Sequence, residues 1–257
     1  MKRHLYNILL LFLCCAAGFQ CKKKHPSPDP VPVQAGILKI EIQTDINASR
    51  LALHTGKYVN ANNDSFKVST LKYYFSNITL KNSDGSLYKV PNSYYLIDAS
   101  ISTDTTINIP NIPAGTYTEI GFSLGVDSIN NHTGSQPAAL NPTIAGDMFW
   151  TWAFSYKFLE LEGYYGPGYS STMLFYISED NNYKKWLMNS TTLNWANINI
   201  KDNASTTVIL KANIDEMFKT PVTINFATTH NVSGGTDAQT IANNYADMFG
   251  LSAIVNP

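Results

Sequence analysis

The side chains best suited to chemistry in this 257-residue chain are five histidines, four tryptophans and a close pair of glutamates. His4 and His25 fall in a leader and a proline-rich segment, which leaves His54, His132 and His230 in the body. Imidazole nitrogens suit a borderline or soft metal such as copper, and ligands far apart in sequence can converge at one end of a sandwich. All three lie in segments that read as loops or strand ends, with no metal-type spacing around them. Glu160 and Glu162 are two apart, which in a strand puts both on one face. Paired carboxylates serve glycoside hydrolysis, but nothing fixes a partner across a cleft, and the pair reads as a solvated strand face.

The glutamates belong to AGDMFWTWAFSYKFLELEGYYG, residues 145–166. Alternation from Trp150 through Trp152, Phe154, Tyr156 and Phe158 places large aromatics on one side of a strand, as core packing requires. Met148-Phe149-Trp150 follows a Gly/Asp turn, where a side chain still reaches solvent. Asn60-Ala61-Asn62-Asn63-Asp64 and Glu179-Asp180-Asn181-Asn182 offer the oxygen ligands that calcium takes, though neither fits the regular loop pattern. The chain contains no G-x-S-x-G, H-E-x-x-H, phosphate loop or dinucleotide fingerprint, so it does not read as an enzyme.

The elements that must position these residues are strands. Ile37–Ile42 and Thr70–Leu80 alternate, the second closing on the turn Asn82-Ser83-Asp84-Gly85. Further β-rich runs are Tyr94–Asp98, Thr105–Ile109, Thr116–Val126, Phe154–Leu161, Thr172–Ile177 and Thr206–Ala212. Short strands punctuated by Gly, Pro and Asn predict an all-β, antiparallel β-sandwich. Helical spacing is confined to Ile214–Lys219 and a short C-terminal helix over Ala238–Phe249.

The N-terminus predicts export. Lys2 and Arg3 precede an apolar run from Leu9 to Phe19, which is shorter than the roughly 18 residues of a membrane span. Residues 1–20 thus read as a lipoprotein signal peptide. Cys21, followed by three lysines, is the lipidation site. Residues 21–35 form a lipidated, Pro-rich tether, and 36–257 form one domain. With Cys14 and Cys15 removed and Cys21 carrying lipid, no disulfide can form, so stability comes from burial by a chain that is 44% hydrophobic. Without the leader and the three tether lysines the formal charge is −6. No basic stripe remains to neutralise phosphates, which argues against nucleic-acid binding.

Several blocks taken together are specific. Ser69–Ile78, Ile120–Val126, Leu140-Asn141-Pro142, Met148-Phe149-Trp150-Thr151-Trp152, Tyr156–Leu159 and the ending Ile241–Phe249 resemble, in order and spacing, the MbnP-like copper-binding domain family, in its Bacteroidetes-type lipoprotein form. The resemblance covers about residues 36 to 250. It implies a cell-envelope protein, an outer-membrane lipoprotein facing periplasm or surface, that binds copper. It also implies a partner resembling a di-haem cytochrome c peroxidase, which oxidises a tryptophan to kynurenine to supply a ligand beside histidines. Trp150 is the first candidate for that residue and Trp152 the second; His132, ahead of the tryptophans, is the best-positioned histidine, with His54 and His230 behind it. The alternative is a surface adhesion or glycan-binding sandwich without metal, since 15 Tyr and 12 Phe could line a carbohydrate groove.

Overall fold

The computed structural model describes residues 34–257 apart from Asp104, Ser135 and Phe154. The expected signal peptide, the expected lipid site at Cys21 and nearly all of the expected tether lie outside the described residues. Contacts group Val33–Pro257 as one unit, and none of its described helices is long and apolar enough to cross a membrane.

The chain begins with β1 (Ala35–Ile46), β2 (Ser49–Arg50), β3 (Tyr58–Val59), β4 (Ser65–Asn82), β5 (Leu87–Lys89), β6 (Tyr94–Asp98), β7 (Thr106–Pro113) and β8 (Gly115–Leu124). Two short helices, α1 (Ser128–Asn131) and α2 (Pro142–Ala145), precede β9 (Phe149–Trp150), β10 (Ser155–Tyr156), β11 (Leu159–Tyr165), β12 (Ser171–Ile177) and β13 (Lys184–Asn189). Then come α3 (Ser190–Leu193), β14 (Ile198–Ile200), β15 (Ser205–Asn213), β16 (Asn231–Val232), α4 (Gly235–Asn244) and β17 (Phe249–Val255).

These strands form two curled sheets and a separate hairpin. The smaller sheet is ordered β17-β15-β1, with β2 and β7 on the remaining edge of β1. The larger runs β13-β8-β4-β11-β12-β16, with β14 beside β8 and β3, β5 and β6 beside β4. The all-β sandwich with a short C-terminal helix is what the strand pattern predicts. The pairing is mixed, however: β1 with β15 and β12 with β16 run parallel. Partners this distant in sequence need no hairpin turn, so alternation alone does not fix their direction.

Strand β4 shows how sequence sets the sheet. Its buried apolar residues on the inner face step by two from Phe66 to Val68, by three to Leu71, by two through Tyr73 to Phe75, by three to Ile78, then by two to Leu80, while Tyr74 is buried on the other face with its hydroxyl donating to Ala139 O. A strand changes face at every residue, so each three-residue step needs an extra residue to keep the apolar set on one side. The ladder slips at those two places, against β11 between Glu162 and Gly163 and against β8 between Ser76 and Thr79.

The two sheets interlock through aromatics. Phe75 stacks on Phe122 at 4.4 Å and Phe122 on Trp186 at 5.6 Å, all from the larger sheet. Phe249, which opens β17 of the smaller sheet, meets these three edge-on at 6.1, 5.2 and 5.0 Å. Offset and edge contacts of this kind each add about 0.5–1.5 kcal/mol beyond area burial.

Two sequence expectations change here. The helix predicted over Ala238–Phe249 ends at Asn244, because Tyr245–Asp247 tightens into a 3-10 turn and Phe249 is already strand. The continuous strand expected from Trp150 through Phe158 is instead a tight hairpin, β9 against β10, followed by β11. Trp152 stands 76% exposed in the turn, off the core face that alternation assigns it. Phe249→Ala should cost about 3–5 kcal/mol by urea denaturation, because it empties the site where the rings of Tyr73, Phe75, Phe122 and Trp186 of the opposite sheet converge.

Candidate metal site at the tryptophan hairpin

The hairpin is held by its flanks. Asn141 caps α2 by accepting from the Thr143 N–H at 2.9 Å, and Pro142 occupies the first turn, where its missing N–H costs nothing. The chain then turns at Gly146, with φ of 56°, into β9. The pairs Phe149–Tyr156 and Trp150–Ser155 close the hairpin, and Lys157 N–H donates to Met148 O at 2.8 Å. Phe149 packs on the buried Tyr156 at 5.0 Å, which anchors the base. At the tip, the Trp150 and Trp152 rings lie 5.2 Å apart, tilted by 32°.

Beneath the hairpin lies an alternating array of charge. Lys157 and Glu160 form a buried ion pair, at 5% and 1% exposure. The Lys157 ammonium also lies 3.9 Å from the Tyr176 ring centre and 6.0 Å from that of Trp150, within reach of cation–π attraction. On the neighbouring strand Lys72 reaches Asp147 at 3.1 Å. Glu162 accepts from Tyr176 O–H and, at 3.2 Å, from Thr70 O–H. The carboxylates Glu160 and Glu162 are therefore not a solvated face: Glu160 is buried against a lysine that the hairpin carries across it. Burial pushes the Glu160 carboxyl above its ordinary value against the opposing pull of Lys157. For Asp147, partial burial acts upward but is outweighed by the Lys72 bond and charge, which hold it low. In the sequence the signal is Lys157 three residues ahead of Glu160, inside an otherwise apolar run.

The candidate histidines separate. His132 ends α1 and directs Nε2 at the Asp180 carboxylate, 3.1 Å away. Asp180 also accepts from Ser128 O–H and from Asn131 Nδ2 at 2.9 Å. His54 is exposed in a turn with φ of 63°, its N–H donating to Val68 O at 2.7 Å on the β3 side of β4. His230 lies beyond β12, where its carbonyl accepts from Leu174 N–H; its Nδ1 lies 2.8 Å from Phe226 O and its ring faces Tyr165 at 5.2 Å. With β4, β11 and β12 between them, His54 and His230 stand roughly 19 Å apart at the usual strand spacing, against the roughly 2 Å of a metal–imidazole bond. Among the described residues no three His, Cys, Asp or Glu side chains gather to hold a metal.

The segment of one histidine does meet the tryptophans. Asn131, preceding His132, accepts from the Tyr156 N–H at 2.9 Å, tying α1 to the base of the hairpin that carries Trp150 and Trp152. Neither calcium candidate presents a free cage. Asp64 Oδ2 accepts from Asn60, Asn62 and the Phe226 N–H at 2.9–3.2 Å, and Asp180 is engaged as described.

The family model for MbnP matches residues 35–239. The chain belongs to the MbnP family. Its fold is shared with the solved structure of MbnP from Methylosinus trichosporium, at TM-score 0.55 and 13% identity, covering 86% of this chain and 99% of that one. No curated protein matches.

The buried ion pair and the His132 contact each have a measurable consequence. Lys157→Met should cost about 3–5 kcal/mol in urea denaturation, because it strands a buried carboxylate, whereas Lys157→Met combined with Glu160→Leu should recover most of that loss. The second consequence concerns pH. Partial burial acts upward on Asp180, but the bonds from Ser128, Asn131 and His132 outweigh it and lower its carboxyl. A lowered carboxyl gives stability that is present above the unfolded value, about 3.9, and lost as pH falls through the folded value. Asp180→Asn should flatten the acid limb of a thermal-melting profile in that window while leaving the neutral range level.

Proposed function

We propose that this MbnP-family chain is an exported lipoprotein, anchored through Cys21 at the cell envelope, that takes copper as its cargo and acquires part of its ligand set by oxidation of a tryptophan. The observation that carries the reading is the contact of the half-covered Trp150 with the exposed Trp152, rings tilted against each other, on a hairpin bonded to the residue before His132. The encoded side chains do not complete a copper site, since among the described residues His132 stands without a second histidine. Its Nδ1 makes no hydrogen bond among the described residues, so that nitrogen is available.

The missing donor has a chemical source. Indole N–H donates and has no lone pair to give, whereas cleaving the C2–C3 bond with one oxygen atom added to each carbon, the oxidant being peroxide used by the haem partner, gives N-formylkynurenine, and hydrolysis by one water releases formate and leaves kynurenine, an aryl amine about 4 Da heavier. Trp150 is the residue proposed for this change. Trp152, the outer ring, is where oxidising equivalents from a di-haem cytochrome c peroxidase-like partner would arrive. The chain is thus the object of redox chemistry and not its catalyst.

Protein purified from its native host should show the 4 Da gain on the peptide containing Trp150, together with copper by elemental analysis. Trp150→Phe should abolish both, and Cys21→Ser should abolish incorporation of a labelled fatty acid. Intact indoles at both positions with no copper would overturn the reading and leave a metal-free adhesion or glycan-binding module.

A further inference from the structure

A groove of about 480 Å³ opens on the outer face of the larger sheet, between β5 and β6 on one side and β13 on the other. That size suits one small organic molecule. The second bulge of β4 builds it: Asn77 takes a left-handed φ of 53° and turns its amide outward into a hydrogen-bonded cluster.

The cluster saturates the carboxylate among the groove's lining residues. Asp127 Oδ2 accepts from Tyr94 O–H and from Asn77 Nδ2 at 3.0 Å. Its Oδ1 accepts from Asn130 N–H at 3.3 Å and from Asn130 Nδ2 at 3.1 Å. Asn77 Nδ2 also donates to the Tyr183 oxygen at 2.6 Å, which leaves the Tyr183 proton to be given elsewhere. The donors are left over. Lys89 and Lys185 line the groove, and neither has an ion-pair partner among the described residues; Lys185 lies 5.7 Å over the Tyr183 ring.

A saturated carboxylate does not recruit a cation. Surplus donors and two ammonium groups call for an anion with acceptor oxygens. The remaining wall is apolar, with Val90, Leu187 and the tyrosine rings. We propose that this groove binds a small organic acid, its carboxylate held by Lys89, Lys185 and the Tyr183 hydroxyl and its apolar body laid against Val90 and Leu187. The site adjoins α1, whose Asn131 bonds to the base of the tryptophan hairpin, but none of its proposed ligand contacts lies on that hairpin.

The test is titration of the full chain with phenylacetate, phenylacetamide and galacturonate, followed by calorimetry and by nuclear magnetic resonance of labelled lysine and tyrosine. Phenylacetate should bind with Kd of about 1 mM or tighter and at least about tenfold more tightly than its amide. It should shift the Lys185 and Tyr183 signals. Lys89→Met with Lys185→Met should weaken it at least tenfold with an unchanged melting temperature, and Tyr183→Phe should weaken it less. Equal binding of acid and amide, or no carboxylate binding at about 10 mM, overturns the proposal. Tighter binding of galacturonate than of phenylacetate overturns the apolar assignment of the ligand's body.

Discussion

The register of strand β4 is the constraint on which the rest depends. Strands β3, β5, β6, β8 and β11 all pair with it, and its eighteen residues must keep one apolar face toward the interior throughout. A regular strand of that length with this sequence would turn part of its core into solvent. The two bulges prevent this, and each has an outward consequence. The first sits where β4 meets β11, just before Lys72, which reaches Asp147 at the foot of the tryptophan hairpin. The second re-aims Asn77, around which the Asp127 cluster assembles. Both outer-face features follow from the need to keep the interior apolar.

The hairpin shows a second principle, that an outer polar layer can be fixed in place as firmly as the core. Lys157 reaches back to Glu160 and roofs Tyr176, so a charged side chain does the covering that a leucine would do elsewhere. Burying such a pair is costly relative to an apolar pair of the same shape, and its retention is better explained by what it positions than by what it stabilises. It fixes the base of a two-residue ladder too short to be stable alone. Held at the base, the hairpin can leave Trp152 in solvent and Trp150 half-covered without collapse onto the sheet.

Much of this is legible in the sequence, and the exceptions share a cause. Strands Tyr94–Asp98 and Thr172–Ile177 are readable because they are short, apolar and bounded by turn residues. Strand β13, Lys184–Asn189, is not, since its outward lysine and leucine blur the alternation that Trp186 and Met188 carry. The run from Trp150 to Phe158 misleads for the opposite reason: its period of two is intact, but a hairpin and a strand share that period, and only the turn at Trp152 tells them apart. Glu160 is misread when exposure is inferred from charge, because its partner is hidden among aromatics.

The site is legible only in part, and the reason is chemical. Family resemblance picks out the tryptophans as candidates, with His132 the best-positioned histidine, and the fold ties their segments together through Asn131 and Tyr156. It does not bring in His54 or His230, which lie on either side of three strands whose pairing is fixed by β4. Among the described residues no three-histidine centre is assembled. A metal ligand set at this hairpin must therefore draw on donors that lie in or next to it. Among these the backbone, Asp180 and the indole rings are already engaged in hydrogen bonds or lack a lone pair. On the proposed reading, opening one of those rings would create a lone pair at the hairpin without disturbing β4.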